Sequence, residues 1–500
     1  MLNYRNFIDG DWRESSRPSL AVDDPSTGAV IGSIPDSGAE EIDAAVTAAR
    51  RAFSDGPWAR MAPTDRAQVL RDLATVLESR FDELVDGLIS DTGCSARMCP
   101  MLQAGAPLAH LRDFAEMAPL LEKPVPFPIQ SSPGFGQWEL HREPVGVVGA
   151  FTPYNFPLFI AVWKAAPALL AGNTVVLKPS PLTPYGLDAF ALAAKEAGLP
   201  DGVVNVVHGD REAGTALVEH AGVDLVTFTG STAVGKRVMS AAAGTAKEVI
   251  LEMGGKSPAV VLPDADIELA VRGTLFSSMM HGGQACVATT RMLVPDSRYE
   301  EFLEALARRA NQLVVGPAAE FTTDVGPVVS QAQREKVEKY VSAAVEQGGR
   351  VIAGGDRPAG VPEGGHYVAP TVLADLANDN IAAREEIFGP VLSVLRYSDV
   401  DDAIRIANDT QYGLAAAVWS SDVERARSVA ARLQSGLTWI NDVAQAEVAR
   451  TPFAGKKQSG VGTELGADGL FGYTKVKSLY TALDENLDAR PYGAVGSEWE

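Results

Sequence analysis

Residues 224–243 read DLVTFTGSTAVGKRVMSAAA: an apolar, β-branched run, a turn at Gly230–Ser231, and then a run of helix formers. A strand that passes directly into a helix belongs to a parallel-sheet crossover, because parallel neighbours cannot be joined by a tight hairpin. Gly230, Gly235 and Lys236 also match the phosphate-loop pattern G-x-x-x-x-G-K-[ST] up to its last position, where Arg237 replaces the magnesium-binding hydroxyl. The dinucleotide fingerprint G-x-G-x-x-G is absent. What the segment does supply is a helix start, whose free N–H groups and dipole attract an anion, behind a glycine that lets a ligand approach. A plain strand-to-helix turn would look the same, and this segment alone leaves both readings open.

The flanking sequence repeats the alternation. Strand-length runs at VGVVGA (145–150), TVVLKP (174–179) and VVNVV (203–207) are separated by helical patterns near 158–171, 184–197 and 211–221. A second series follows, with SPAVVLP (257–263), a helix at 266–280, RMLVP (291–295), a helix at 299–313, PVLSVLRY (390–397) and AAAVWS (415–420). Two such series predict two doubly wound α/β layers. Upstream, 39–54 and 64–90 have helical spacing, while 124–144 is rich in Pro and Gly and reads as an inserted hairpin or arm.

At 500 residues the chain is long enough for about three domains. The 43 basic and 64 acidic residues leave a formal charge of −21, which disfavours nucleic acid and anionic lipid as partners. The 3 cysteines imply no disulfide framework and fit a reducing cytoplasm; Cys94 and Cys99 lack the second pair a zinc site needs, so no metal is expected. No secretory leader is visible at the start. Val145–Trp163 runs nineteen residues without a charge, but Pro153, Asn155 and Pro157 break it, so it reads as a buried strand, a loop and a helix rather than a membrane span.

Three stretches carry chemistry. HGGQACVATTR (281–291) sets Cys286 among glycines that let backbone and substrate crowd the thiol, with the Cys286 amide available to an oxyanion. A buried structural cysteine is the bland alternative. LEMGGKSP (251–258) ends an apolar run on Glu252, a position that raises a carboxyl pKa and suits a general base. FTPYNFP (151–157) fixes Asn155 between two prolines as a second oxyanion donor. Thiol, carboxylate and amide together point to acyl chemistry through a thioester. His281 is left without a role.

From about residue 5 to about residue 480 the chain resembles the aldehyde dehydrogenases. The matching runs, in order, are REPVGVVGAFTPYNFPL, AGNTVVLKPS, FTGSTAVGK, LEMGGKSP, GGQAC, EEIFGPVL, NDTQYGLAAAVW and PFAGKKQSG, and Glu252 and Cys286 stand thirty-four positions apart as in that family. The resemblance implies an α/β architecture with a Rossmann-like NAD(P)-binding domain at 1–122 and 144–253. A second α/β catalytic domain would span 254–452, with a small β oligomerisation arm at 123–143 and 473–483 and a C-terminal tail at 484–500. It implies Cys286 as nucleophile, Asn155 as oxyanion donor and Glu252 as base for hydrolysis, and so the hydrolytic rather than the coenzyme-A-acylating type. Thr152, Pro153, Lys178, Gly230, Ser231, Met253, Glu386 and Phe388 would hold the cofactor, and Phe156, Trp163 and Phe453 would line the aldehyde pocket. Without the resemblance, Glu386 reads as a surface charge and the aromatic residues as core.

Several positions depart from the family pattern. Pro181 in KPSP replaces a glutamate that would bind the ribose 2′-hydroxyl, so NAD is expected with NADP tolerated. Tyr154, Met253 and Thr463 replace the more frequent tryptophan, leucine and arginine. The loop 441–450, with Glu447 and Arg450, falls in the family's specificity region. The expected protein is an NAD(P)-dependent aldehyde dehydrogenase, cytoplasmic, a homodimer or homotetramer, acting on a small-molecule aldehyde and binding neither nucleic acid nor membrane. A P-loop phosphotransferase using Lys236 and a non-catalytic member of the same fold are the alternatives.

Overall fold

The apolar runs of both series become the strands of two large sheets. The computed structural model of the chain describes residues 2–131, 134–443 and 449–486, with Arg490, Tyr492 and Val495. Among these, the first large sheet has the order Gly460–Val461, Glu248–Met253, Leu225–Gly230, Val147–Phe151, Thr174–Lys178, Val204–Val206, Asn6–Ile8, Asp11–Arg13. Its strands from Glu248–Met253 to Val204–Val206 run parallel. The chain winds outward one way from Val147–Phe151 and then returns to lay Leu225–Gly230 on that strand's other side. That reversal is the topological switch point, where open α/β sheets leave a ligand crevice at the carboxyl ends of the strands.

The second large sheet has the order Arg350–Ala353, Thr371–Ala374, Val391–Tyr397, Arg291–Pro295, Pro258–Val261, Ala415–Trp419, Leu437–Ile440, and only its edge strand Arg350–Ala353 is antiparallel. The chain leaves the first sheet at Met253 and enters the second at Pro258. The carboxyl ends of one sheet thus lead directly to the amino ends of the other. A further antiparallel sheet pairs Gly136–Pro144 with Thr474–Ala482 along their whole length, from Pro144 opposite Thr474 to Gly136 opposite Ala482. Val125–Pro126 adds to its edge.

Some elements end where the sequence does not announce it. The helical pattern 64–90 is two helices, Pro63–Ser79 and Phe81–Thr92, separated at Arg80 with φ −120° and ψ 29°. The break seats Gly87 so tightly on the Tyr185 ring that a Cβ there would lie 2.1 Å from it. The pattern 211–221 stops at Glu219, where His220 Nδ1 accepts the Gly222 N–H at 2.9 Å and turns the chain. The helix expected at 299–313 ends at Ala310. Pro100–Gly105 forms a π-helical turn, a form common at functional sites and without a propensity signal.

The uncharged run beginning at Val145 becomes the strand Val147–Phe151 and the helix Pro157–Ala171, buried along its whole length. No helix among the described residues is long and apolar enough to cross a membrane. Because this helix ends in the interior, its last carbonyls need donors from elsewhere. Arg66 supplies one: it is 5% exposed, its Nε donates to the Leu170 carbonyl at 2.8 Å, and its Nη1 donates to Met61. Arg66→Met keeps the aliphatic stem but strands both carbonyls. It should lower unfolding stability, measured by the chemical denaturation midpoint, by about 1–3 kcal/mol for each carbonyl left unpaired.

Candidate active site

Three loops far apart in sequence meet where the two large sheets face each other. Residues 254–257 join the sheets, the turn 281–286 leads toward Arg291–Pro295, and 385–389 lead into Val391–Tyr397. They interlock through glycine. A Cβ on Gly254 would lie 2.0 Å from Glu386 Oε2, one on Gly255 2.8 Å from the Cys286 carbonyl, and one on Gly283 2.1 Å from the Gly389 carbonyl. Backbone meets backbone and carboxylate with no room for a side chain, and Glu252, Cys286 and Glu386 are thereby held together.

The loops surround a cavity of about 620 Å³. Asn155, Glu252 and Cys286 all open on it, as do Pro153, Gly230, Ser231, Met253, Glu386, Phe388, Phe156, Trp163 and Phe453. Two of the residues expected at the cofactor site are not on its wall. Thr152 and Lys178 are buried at the ends of neighbouring strands, with the Thr152 N–H donating to the Lys178 carbonyl at 3.2 Å. The Lys178 ammonium donates to the Pro179 carbonyl at 3.0 Å, and burial pulls its pKa down to about 8.

Cys286 is half-buried on this wall. Burial, and then the carboxylates of Glu386 and Glu252, push its thiol up to about 12, while the N–H groups of Val287 and Cys286 pull the other way. Asn155 is held on every side. Its Nδ2 donates to the Gln284 carbonyl at 2.7 Å, and its main-chain carbonyl accepts from Gln103 Nε2 at 2.6 Å and His281 Nε2 at 2.8 Å. Because a carboxamide nitrogen carries two hydrogens, one remains for a ligand.

Glu252 lies in the last turn-facing stretch of its strand, 3% exposed, with neither carboxylate oxygen hydrogen-bonded to another side chain. Burial raises its pKa well above the usual carboxylate range and Glu464 raises it further; Lys164 and the Gly455 N–H oppose the shift. Glu464 itself forms a fully buried ion pair with Lys164, Nζ to Oε1 2.5 Å, and the Thr227 hydroxyl bridges both.

Of the residues expected to hold a dinucleotide, those on the cavity wall leave room and open polar groups for one. Ser231 precedes the helix Thr232–Ala242 without capping it through its side chain, so the leading amides stay open. Gly230 packs on Phe228, where a Cβ would come 2.5 Å from the ring. The Thr152 hydroxyl is buried without a partner. Glu386 accepts the Gly255 N–H at 3.0 Å, and burial lifts it to about 7. Phe388, at φ 57°, meets the Tyr154 ring edge-on at 5.8 Å. Ser180 and Pro181 also line the cavity. Lys236 is exposed and donates to Gln458 Oε1 at 2.7 Å, away from that wall.

On the remaining wall, Trp163 and Phe453 pack edge-to-face at 4.9 Å, and Phe156 lies against His281 at 5.3 Å. Met101, Leu102, Phe159 and Met280 add to this apolar lining. Arg450 is exposed, 3.7 Å from Asp113, and Glu447 lies outside the described residues. Among the described residues no group of three or more His, Cys, Asp or Glu is placed to hold a metal ion.

Sequence reasoning missed Glu464, Gln103 and the structural part played by His281 and Gln284. One signal was available for the ion pair: Lys164 sits alone in an apolar helix, and a buried ammonium demands a counter-charge. Nothing in the sequence around Glu464 names it as the partner.

Residues 12–479 match the aldehyde dehydrogenase family. The chain is 40% identical over 477 residues to a geranial dehydrogenase of Castellaniella defragrans, covering 95% of this chain and 98% of that one. It is 39% identical over 479 residues to a betaine aldehyde dehydrogenase of Bacillus subtilis, covering 95% and 96%. Its structure matches that of a Mycobacterium tuberculosis aldehyde dehydrogenase complexed with NAD+ at a TM-score of 0.92, with 41% identity and coverage of 96% and 98%. With the loops, the cavity and these likenesses in agreement, the chain belongs to the aldehyde dehydrogenase family.

Proposed function

We propose that the protein oxidises an aldehyde to the carboxylic acid with NAD(P)+ by covalent catalysis at Cys286, with hydrolysis driven by Glu252. The observation that carries this reading is the shared cavity: thiol, carboxamide and unpaired carboxylate open on the same space as the helix-start cradle. Cys286 Sγ adds to the carbonyl carbon, and the oxygen becomes negative between the free Asn155 Nδ2–H and the Cys286 N–H. Cys286 rests as a thiol, so its proton must leave as the aldehyde binds; Glu252 is the base on the cavity wall able to take it. A nicotinamide cofactor held at the cradle would supply the acceptor for the hydride lost by the carbon, and Cys286 would then carry a thioester. Glu252 passes the thiol proton to solvent and, again a carboxylate, removes a proton from water. The water oxygen attacks the thioester carbon, the C–S bond breaks to release the acid, and the departing thiolate takes the proton from Glu252 to regenerate the thiol.

For the cofactor, Ser231 and the amides behind it would take the pyrophosphate, and Glu386 the nicotinamide ribose. The Lys178 ammonium, near the end of its strand, would reach the adenosine ribose. Pro181 offers no carboxylate against a 2′-phosphate, so NAD use with tolerance of NADP follows. The aromatic and aliphatic lining favours aldehydes with an apolar tail over those ending in a carboxylate. Assembly as a homodimer or homotetramer is supported by the antiparallel arm, which exposes Trp138, Val476, Leu479 and Tyr480. The acidic charge and three free cysteines support a cytoplasmic setting. A P-loop phosphotransferase is disfavoured by the placement of Lys236, and a retired site by the intact triad.

With NAD and a panel of apolar and carboxylate-tailed aldehydes, purified protein should form NADH fastest on the apolar ones. Cys286→Ser should lose more than about a thousandfold in turnover, whereas Glu252→Gln should give a first-turnover burst followed by slow release. Normal steady turnover in either variant would refute the mechanism. Pro181→Glu should raise the KM for NADP by about tenfold or more and leave that for NAD within about threefold, because a carboxylate beside a 2′-phosphate costs at least about 1.4 kcal/mol. Turnover limited by hydrolysis should rise with pH as Glu252 ionises. Glu464→Gln deletes the negative charge that raises the Glu252 pKa and leaves Lys164 to lower it, so the rising limb of the pH profile should move to lower pH. A shift to higher pH, or none, would count against Glu252 as the base.

A further inference from the structure

The Asn155 carbonyl receives two side-chain donors from elements remote in sequence. Gln103 Nε2 reaches it at 2.6 Å from the π-helical turn Pro100–Gly105, and His281 Nε2 at 2.8 Å from the turn before Cys286. Both donors are buried, with Gln103 at 0% and His281 at 2% exposure. Since a carbonyl only accepts, the proton of His281 must sit on Nε2. His281 keeps this position in a left-handed conformation, φ 51°, which a side chain with a Cβ adopts at a cost. The amide end of Asn155 is tied to the same turn, through Nδ2 to the Gln284 carbonyl at 2.7 Å.

We infer that Gln103 and His281 are positioning residues for the oxyanion step: together they fix the Asn155 peptide so that its free side-chain N–H stays aimed at the oxygen that becomes negative on Cys286. The inference rests on the reading of Asn155 as oxyanion donor. An oxyanion donor contributes only if it is pre-aimed, and its complete removal costs on the order of 10²–10³ in rate. A displacement of about 1 Å can cost on the order of 10². The main-chain carbonyl of Asn155 and its side-chain amide are joined through only Cα and Cβ, so holding that carbonyl from two directions, with Nδ2 tied to Gln284, leaves the amide little freedom. One donor lies on the turn that carries the nucleophile and the other on an unrelated element, so donor and thiol move as one unit.

The test is the single-turnover rate of NADH formation with enzyme in excess over aldehyde, with NADH affinity measured in parallel. His281→Leu and Gln103→Leu should each slow that turnover by about 10- to 100-fold and leave nucleotide affinity within about threefold. His281→Gln presents a donor at nearly the same reach and should recover to within about threefold of the unmodified protein. In an Asn155→Ala background, either leucine substitution should add less than about twofold, because its effect passes through a side chain already removed. Losses that multiply fully in that background, or a His281→Gln variant no better than His281→Leu, would overturn the inference while leaving Asn155 in its role. If Asn155→Ala turned over at the unmodified rate, the oxyanion reading itself would fall. Gln103→Leu probes the same clamp from the other side, so poor folding of one variant leaves the other decisive.

Discussion

The site depends on close approach of backbone at one meeting point. Gly254, Gly255 and Gly283 each lie where any added Cβ would overlap a carboxylate or a carbonyl of another loop. This crowding is what brings the Glu252 carboxylate from one sheet, the Cys286 thiol beside the other and the Glu386 carboxylate into one wall. It also explains the left-handed run His281, Gly282 and Gly283, with φ 51°, 63° and 70°. The chain must coil tightly there to put Gly283 on Gly389 while still presenting Cys286 to the cavity. Replacement at such a point would shift the whole constellation rather than one side chain.

A second constraint is electrostatic. Two carboxylates, Glu252 and Glu464, share a buried region with a single ammonium, Lys164. Burying an unpaired charge costs far more than the interior can return, so a carboxyl in that setting shifts toward its neutral form. Lys164 bonds Glu464, and Glu252 is left with its oxygens free toward the cavity. That division makes Glu464 the structural partner and Glu252 the group able to change protonation during a reaction. The fully buried pair is also a tie between the helix Pro157–Ala171 and the returning segment near Gly460–Val461, alongside the packing of Trp163 on Phe453.

The alternation of strand and helix was legible because parallel strands buried on both faces read as short β-branched runs. The expected strand after Asp224 and the helix after Ser231 both exist, as Leu225–Gly230 and Thr232–Ala242. Element ends were less legible, since they are set by single contacts such as the His220 Nδ1 turn, which carries no periodicity. Cys286, Glu252 and Asn155 stood out because glycine and proline beside a reactive residue leave a local mark. Gln103 leaves none: it lies in a π-helical turn, and its function comes from the geometry of a distant carbonyl. Glu464 is silent for the same reason, its partner being three hundred positions away. Local chemistry is written in local sequence, while support for it is written only in the fold.

Glu386 shows how binding and chemistry are linked through that support. Its carboxylate accepts the Gly255 N–H, on the turn that follows Glu252 and lies against the Cys286 carbonyl. It is also the largest charge acting to raise the Cys286 thiol, after burial itself. A hydroxyl that hydrogen-bonds this carboxylate spreads its negative charge and so lowers the barrier to forming the thiolate. On the proposed reading, in which Glu386 holds the nicotinamide ribose, occupation of that position would bear on both the acidity and the placement of Cys286 without any contact to the sulfur. Burial, which holds the Glu386 pKa at about 7, is also what keeps water from screening its effect on Cys286. A fully exposed glutamate at the same position would be screened by water and would bind without transmitting anything to Cys286.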